Sequence, residues 1–167
     1  STRASCSSSN SACAVSRGCA NTPASLPDTT TTETDVWSFT IPNKLIGPND
    51  VISSDWFWSY TNNAATKDFK LYFGGATWMT LSTATGAGFR GRSLAAMRNS
   101  KTVEFWPNAL YAVAFTEGST STGGAQVSNV NTNNDVVVRA AARWGTGAGG
   151  ANNITLERIS LKIEYVA

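Results

Sequence analysis

The sequence predicts an all-β protein, built as an antiparallel sandwich of two sheets, and three observations support this prediction. Apolar and polar residues alternate with period two along several short segments, which is the pattern of strands with one buried face. Turns rich in Gly, Pro and Asn separate these segments, and no credible long helix is visible. A jelly roll is the topology we expect, with an immunoglobulin-like strand order as the alternative.

The first three predicted strands cover residues 37–41, 52–60 and 69–73. Each has an apolar face in which every second residue is large, as with Trp56, Trp58 and Tyr60 in the second strand. Polar turns at residues 47–50 and 61–64 separate the three strands. The chain is therefore expected to reverse direction twice.

The middle of the chain has a less regular pattern. A short strand is predicted at residues 78–81, a loop at 83–88 and a strand ending before Pro107 at 101–106. Residues 89–97 fit one helical turn or a strand, and both alternatives stay open. Residues 110–116 are apolar on both faces, which predicts a central strand, and a long loop rich in Gly, Ser and Asn follows at 117–134.

Two long strands end the chain. Along residues 135–144 one face is apolar and the other contains Arg139 and Arg143. Along residues 153–166 the apolar phase shifts by one residue near Glu157 and Arg158. Such a shift predicts a β-bulge at that point.

Residues 1–35 are predicted to form an extended or flexible N-terminal arm, and residues 36–167 the sandwich domain. The arm is rich in Ser, Thr and Pro and has almost no large apolar residue, so burial cannot offset its ordering entropy. Its cysteines, Cys6, Cys13 and Cys19, match no zinc spacing, and whether any of them forms a disulfide stays open. We expect the arm to attach the domain to a neighbour and to be separable from it.

Composition limits the function classes. Only 14% of the residues are charged, against roughly 25% in an average soluble domain, and the net charge is +2. Bulk charge therefore gives no argument for a nucleic-acid partner, and no apolar segment reaches the length of a membrane span. We expect neither partner.

The chain has no His, which removes the Ser-His-Asp and Cys-His arrangements and any His-ligated metal site. Its carboxylates are scattered singly along turns and polar strand faces rather than placed in a pair. We therefore expect no enzymatic activity, no metal and no cofactor.

Two sets of residues are candidates for contact with a ligand or partner. Trp106 and Trp144 lie at strand ends, where recognition sites are often found, although Trp144 also continues a buried row. A basic run without an intervening acid contains Arg90, Arg92, Arg98 and Lys101. It is either a seat for an acidic neighbour or a solvated sheet edge that discourages unwanted strand pairing.

Several motifs resemble those of a family of small virion structural proteins of tailed bacteriophages. They lie between residue 37 and the C-terminus: Ile41-Pro42 with Leu45 and Gly47-Pro48-Asn49, residues 58–63 with Lys67, Phe73-Gly74-Gly75, and residues 153–157. The resemblance implies an antiparallel sandwich in a capsid decoration or tail component. The Ser- and Cys-rich N-terminus and the basic run depart from the family pattern.

These observations favour a structural phage protein at the virion surface, one that self-associates as a homotrimer and contacts other virion proteins. The alternative is a carbohydrate-binding or receptor-binding module at a fibre tip, with a host surface glycan as its partner. The sandwich alone does not decide between them, because one architecture serves many functions.

Overall fold

The computed structural model describes residues 13–20, 24–27, 30–102, 104–107, 125–145 and 152–166, with the backbone alone for 13–20, 104–107 and 125–128. These residues form eleven β-strands and no helix. The strands are β1 (Cys13–Ala20), β2 (Ala24–Pro27), β3 (Thr34–Ile41), β4 (Val51–Tyr60), β5 (Lys67–Phe73), β6 (Ala76–Thr83), β7 (Gly88–Met97), β8 (Glu104–Pro107), β9 (Ala125–Ser128), β10 (Val136–Trp144) and β11 (Asn153–Tyr165). No helix in the described part of the chain is long and apolar enough to cross a membrane.

The strands form two sheets, here named sheet A and sheet B. Sheet A has the order β1-β11-β4-β7-β8-β9, with β2 also paired to β11, and sheet B has the order β3-β10-β5-β6. All strand pairs are antiparallel. The strands β2, β11, β4 and β7 face β3, β10, β5 and β6, and the chain crosses between the sheets on entering β3, β4, β5, β7, β10 and β11. This order is that of a jelly roll, so the predicted all-β sandwich is confirmed.

The aromatic row of β4 lies in the core between the sheets. Trp56, Trp58 and Tyr60 are buried, and the Trp58 ring lies 5.0 Å from that of Phe69 on the opposite sheet. Trp78 is also buried and donates a hydrogen bond from Nε1 to the Leu94 carbonyl oxygen at 3.1 Å. These side chains therefore fill the sandwich and form no exposed platform.

Residues 89–97, for which the sequence fits either a helical turn or a strand, belong to strand β7. Gly91, Ser93, Ala95 and Met97 point into the core, and the residues between them point out. Gly91 lies directly opposite Trp56 on β4. Gly91 therefore leaves room for the Trp56 indole on the neighbouring strand.

The predictions for the last two strands are confirmed. Alternate residues of β10 from Val136 to Trp144 are buried, and Arg139 and Arg143 lie on the other face. Along β11 the pairing with β4 shifts between Leu156 and Arg158. The predicted β-bulge is therefore present and leaves Glu157 as the extra residue. The predicted central strand at 110–116 lies outside the described residues.

The predicted boundary at residues 35 and 36 does not match a boundary in the structure. Strands β1 and β2 come from the segment expected to be an arm, yet both pair with β11. Leu26 on β2 is buried, and the Thr30 carbonyl oxygen accepts a hydrogen bond from the Trp144 amide at 2.9 Å. Backbone pairing along the edge of β11 supplies stabilisation that the low apolar content of this segment did not reveal.

Candidate binding surface

The two tryptophans predicted as contact residues are placed differently. Trp144 is 0% exposed and belongs to the core, as its position in the buried row of β10 indicated. Trp106 lies on β8 opposite Gln126 of β9, and its side chain is outside the described part of the structure. Trp144 is therefore not available for stacking with a ligand.

The basic run is divided by the fold. Arg90 and Arg92 lie within β7 and point outward from sheet A. Arg98 and Lys101 follow the end of the strand, where Arg98 is exposed and Lys101 is half-buried. The Lys101 carbonyl oxygen accepts hydrogen bonds from the Thr132 amide at 2.8 Å and the Thr132 hydroxyl at 3.1 Å. The structure thus brings only the first two residues of the run together.

Strand register adds four residues that the sequence did not single out as contact candidates. Phe57 on β4 lies between Arg90 on β7 and Arg158 on β11, and in the next row Asp55 lies between Arg92 and Ser160. We call these six residues the basic patch: Asp55, Phe57, Arg90, Arg92, Arg158 and Ser160. Most of them line a surface depression of about 230 Å³.

Phe57 is the aromatic centre of the basic patch. Alternation along β4 turns Trp56 and Trp58 inward and Phe57 outward, and its side chain is 47% exposed. Strands lie about 4.8 Å apart, so the Cα atoms of Arg90 and Arg158 are about 10 Å apart across it. The patch therefore presents one ring between two guanidinium groups.

The β-bulge determines the charge beside Phe57. Because the register shifts after Leu156, Arg158 lies opposite Phe57, the position that Glu157 would occupy in an unbroken ladder. The Glu157 carboxylate instead accepts a hydrogen bond from the Ser59 hydroxyl. The irregularity was readable from the sequence, but the residue that it places next to Phe57 required the pairing of β4 with β11.

The charges of the basic patch are only loosely paired. Asp55 Oδ1 lies 3.8 Å from Arg92 Nε and 4.0 Å from Arg90 Nη2, and the Arg90 side chain is 79% exposed. Arg158 is exposed and makes no ion pair with any described residue. Exposed pairs at such distances contribute little. Three guanidinium groups and one carboxylate leave the patch positive.

The outer face of sheet B carries a different arrangement, here named the paired network. Lys70 Nζ lies 2.7 Å from a Glu33 carboxylate oxygen, and the Tyr72 hydroxyl donates to the other oxygen of Glu33. Arg139 pairs with Asp35 and lies with its guanidinium carbon 3.7 Å from the centre of the Tyr72 ring. Arg143 pairs with Asp68 at 2.8 Å. Three acids and three bases therefore neutralise one another on this face.

These contacts shift the pKa values of three groups in the paired network. Burial alone would raise the pKa of Glu33, but the hydrogen bonds from Lys70 and Tyr72 and the charges of Lys70 and Arg139 outweigh it and lower the pKa. The hydrogen bond to Glu33 raises the pKa of Lys70 against the opposing effect of burial. Burial, followed by the bond to Glu33, raises the pKa of Tyr72.

Lys67, the first residue of β5, is a buried lysine outside the paired network. Its side chain is 0% exposed, and Nζ donates to the Asn63 carbonyl oxygen at 3.0 Å and to the Ala84 carbonyl oxygen. Nζ also lies 5.3 Å from the Tyr60 ring centre and 5.4 Å from that of Trp144. Burial lowers the pKa of Lys67. This lysine joins two loops over the core.

The described residues hold no group of three or more His, Cys, Asp or Glu side chains placed to bind a metal ion. The basic patch contains donors, one acceptor carboxylate, a hydroxyl and an exposed ring. Such a set is suited to binding an anionic partner through side chains.

Comparisons with known proteins give only distant likenesses. No protein-family model matches the chain, and no curated protein matches it significantly. Among solved structures, dimeric latent PorU from Porphyromonas gingivalis is 8% identical, with a TM-score of 0.43 over 86% of this chain and 11% of its own. The chain thus spans about a tenth of PorU.

Two further likenesses are to carbohydrate-related structures. The CBM2 module of the evolved Dit of Lactobacillus casei BL23 phage J-1 is 11% identical, with a TM-score of 0.39 over 78% of this chain and 69% of its own. Winged bean acidic lectin complexed with methyl-α-D-galactose is 9% identical, with a TM-score of 0.34 over 86% of this chain and 99% of its own. At these values none of the three transfers a function to this chain.

Proposed function

We propose that this chain is a structural, non-enzymatic component of a tailed-phage particle that acts by binding, and that the basic patch is its contact surface. The observation that carries this proposal is the exposed ring of Phe57 between Arg90 and Arg158 on the outer face of sheet A. The phage context is supported by the motif resemblance described above.

The composition of the patch supports a binding role. Aromatic residues and Arg are enriched in protein interfaces and among the residues that dominate binding energy. Phe57 lies between Arg90 and Arg158, and among the described residues the patch arginines have one loosely placed carboxylate, Asp55, which lies near Arg90 and Arg92. In the paired network on the outer face of sheet B, the charged side chains already form ion pairs with one another.

The proposal includes self-association as a homotrimer, contact with other virion proteins and a place at the virion surface. The N-terminal segment remains the proposed attachment element. Because β1 begins at Cys13, residues 1–12 can be removed without deleting any described strand. Attachment is therefore best tested with that shorter deletion.

The test is to purify particles of the phage that encodes the chain and to identify their proteins by mass spectrometry, with labelled protein located by electron cryomicroscopy. We expect the chain in stoichiometric amounts at the particle surface, and light scattering should give the mass of a trimer. Particles that are complete and infectious without the chain would contradict the proposal. A monomer at micromolar concentration would contradict the trimer alone.

A further inference from the structure

The basic patch also has a chemistry that points to a particular ligand class. We propose that it binds an oligosaccharide of carboxylated sugars, with one sugar ring stacked on Phe57 and carboxylates paired with Arg90 and Arg158. This deepens the proposed function, since it names the partner of the contact surface.

Phe57 supplies an apolar face for a pyranose ring. It is 47% exposed on β4, which has a paired strand on each side, and the other large aromatic side chains of β4 are buried. The apolar face of a sugar ring stacks on an aromatic ring, as flat apolar groups do in ligand sites. The depression beside Phe57 measures about 230 Å³, which offers space for a small cyclic group.

Arg90 and Arg158 supply the pairing groups for carboxylates. Guanidinium groups bind carboxylates in a planar, two-pronged geometry. The two arginines flank Phe57 on opposite sides, so a ring on Phe57 has a cation at each edge. One carboxylate of the stacked unit and one of its neighbour in the oligosaccharide would meet these cations.

Asp55 and Ser160 supply partners for hydroxyl groups and argue against a polyphosphate. Their Cα atoms are directly paired in the row next to Phe57, and both residues line the depression. A carboxylate accepts hydrogen bonds from sugar hydroxyls, and a serine hydroxyl donates or accepts. For nucleic acid the same carboxylate would lie among phosphates, and the chain has a net charge of only +2.

The backbone at Phe57 argues against an added peptide strand. β4 is hydrogen-bonded to β11 on one side and to β7 on the other. Peptide recognition by strand addition needs a free sheet edge. Recognition at the patch therefore depends on side chains, which suits a ligand rich in rings, hydroxyls and carboxylates.

The experiment titrates the full chain with an oligogalacturonate and an oligosialate, using calorimetry and amide NMR shifts. Fully methyl-esterified oligogalacturonate is the control ligand, because it keeps the rings and loses the charge. We expect the charged ligand to bind at least tenfold more tightly than its ester and to weaken as salt rises. Phe57→Ala and Arg158→Gln should each weaken binding at least tenfold.

Arg143→Gln is the matched control, because it removes the same charge from the outer face of sheet B, where Arg143 pairs with Asp68. It should leave binding unchanged, and thermal melting should show that all three variants remain folded. Equal binding of acid and ester, or no binding of either charged oligosaccharide at millimolar concentration, would overturn the inference. Tighter binding of single-stranded DNA, lost in the same variants, would overturn it in favour of nucleic acid.

These outcomes are independent of the particle experiment. A chain that is present in particles but binds no acidic sugar retains the proposed function and loses this inference. A chain that binds acidic sugar but is absent from particles supports this inference and contradicts its place in a phage particle.

Discussion

The basic patch on sheet A and the paired network on sheet B arrange their charged side chains differently. On sheet B, Glu33, Lys70 and Arg139 form direct pairs, and the Arg139 guanidinium lies over a tyrosine ring. On sheet A, Arg90 and Arg92 approach Asp55 only to about 4 Å. Charges that are satisfied internally stabilise the fold, whereas loosely paired charges remain available to a partner.

The two outer faces also differ in the large apolar side chains that they expose. Sheet A shows Phe57 and Leu94 on neighbouring strands, and both side chains are exposed by at least 40%. Sheet B exposes Val137, at the end of its charged rows. Substitutions on sheet B should therefore act mainly on stability, and those at the basic patch mainly on binding.

The largest effect is expected when the N-terminal strands β1 and β2 are removed. A loss of stability would show that sheet A depends on their pairing with β11. Deleting residues 1–27 removes both partners on one edge of β11 and the buried Leu26. We expect a loss above about 5 kcal/mol, because a buried leucine is lost together with the backbone pairing of two strands. Deleting residues 1–12 should leave the denaturant midpoint unchanged, and equal midpoints for the two deletions would contradict the role of β1 and β2.

The second-largest effect is expected for Trp144→Ala, which compares a core side chain with the side chains on the outer faces. The side chain is fully buried beneath sheet B and contacts the Lys67 ammonium group, so its removal should cost about 3–5 kcal/mol. Chemical denaturation measures this loss, and Arg143→Ala on the same strand but on the outer face is the control. A Trp144→Ala protein that melts like the parent and fails to bind glycans would reverse our assignment of this residue to the core.

Arg139→Ala and Arg158→Ala form the direct test of the comparison. Arg139 loses its bond to Asp35, its contact with Glu33 and its stacking on Tyr72, so we expect a loss of about 1–2 kcal/mol. Arg158 has no ion pair with a described residue, so its loss should stay within about 0.5 kcal/mol. Equal costs in urea unfolding would remove the distinction between the faces.

The smallest effect is the change in folding stability that Glu33 causes when the pH is lowered. The folded state lowers the pKa of Glu33 below its ordinary value of 4.5, so the unfolded chain takes up the proton first as the pH falls. The stability that Glu33 contributes is therefore fully present above pH 4.5 and is lost as the pH falls through the folded pKa. The stability difference between the parent and Glu33→Gln should shrink over this range, whereas a difference that grows would contradict the sign of the shift.

Much of the fold was predictable because the relevant signal is local. Period-two alternation placed the rows of β4, β5 and β10, and the phase shift in β11 revealed the bulge at Glu157. The structure of residues 89–97 was ambiguous, because their small residues give a weak alternation and Gly91 becomes an inward position only by its pairing with Trp56. The low apolar content of residues 13–27 hid two strands whose stabilisation comes from backbone pairing.

The sequence by itself determined the alternation of inward and outward side chains, and with it the burial of Trp144 and the class of the fold. Only the tertiary structure decided which outward residues meet. Phe57, Arg90 and Arg158 lie on three strands far apart in the chain, and their neighbouring positions depend on two registers and one bulge. A shift of one residue in either register would turn the opposite set of side chains outward, so the patch exists only in the assembled sheet.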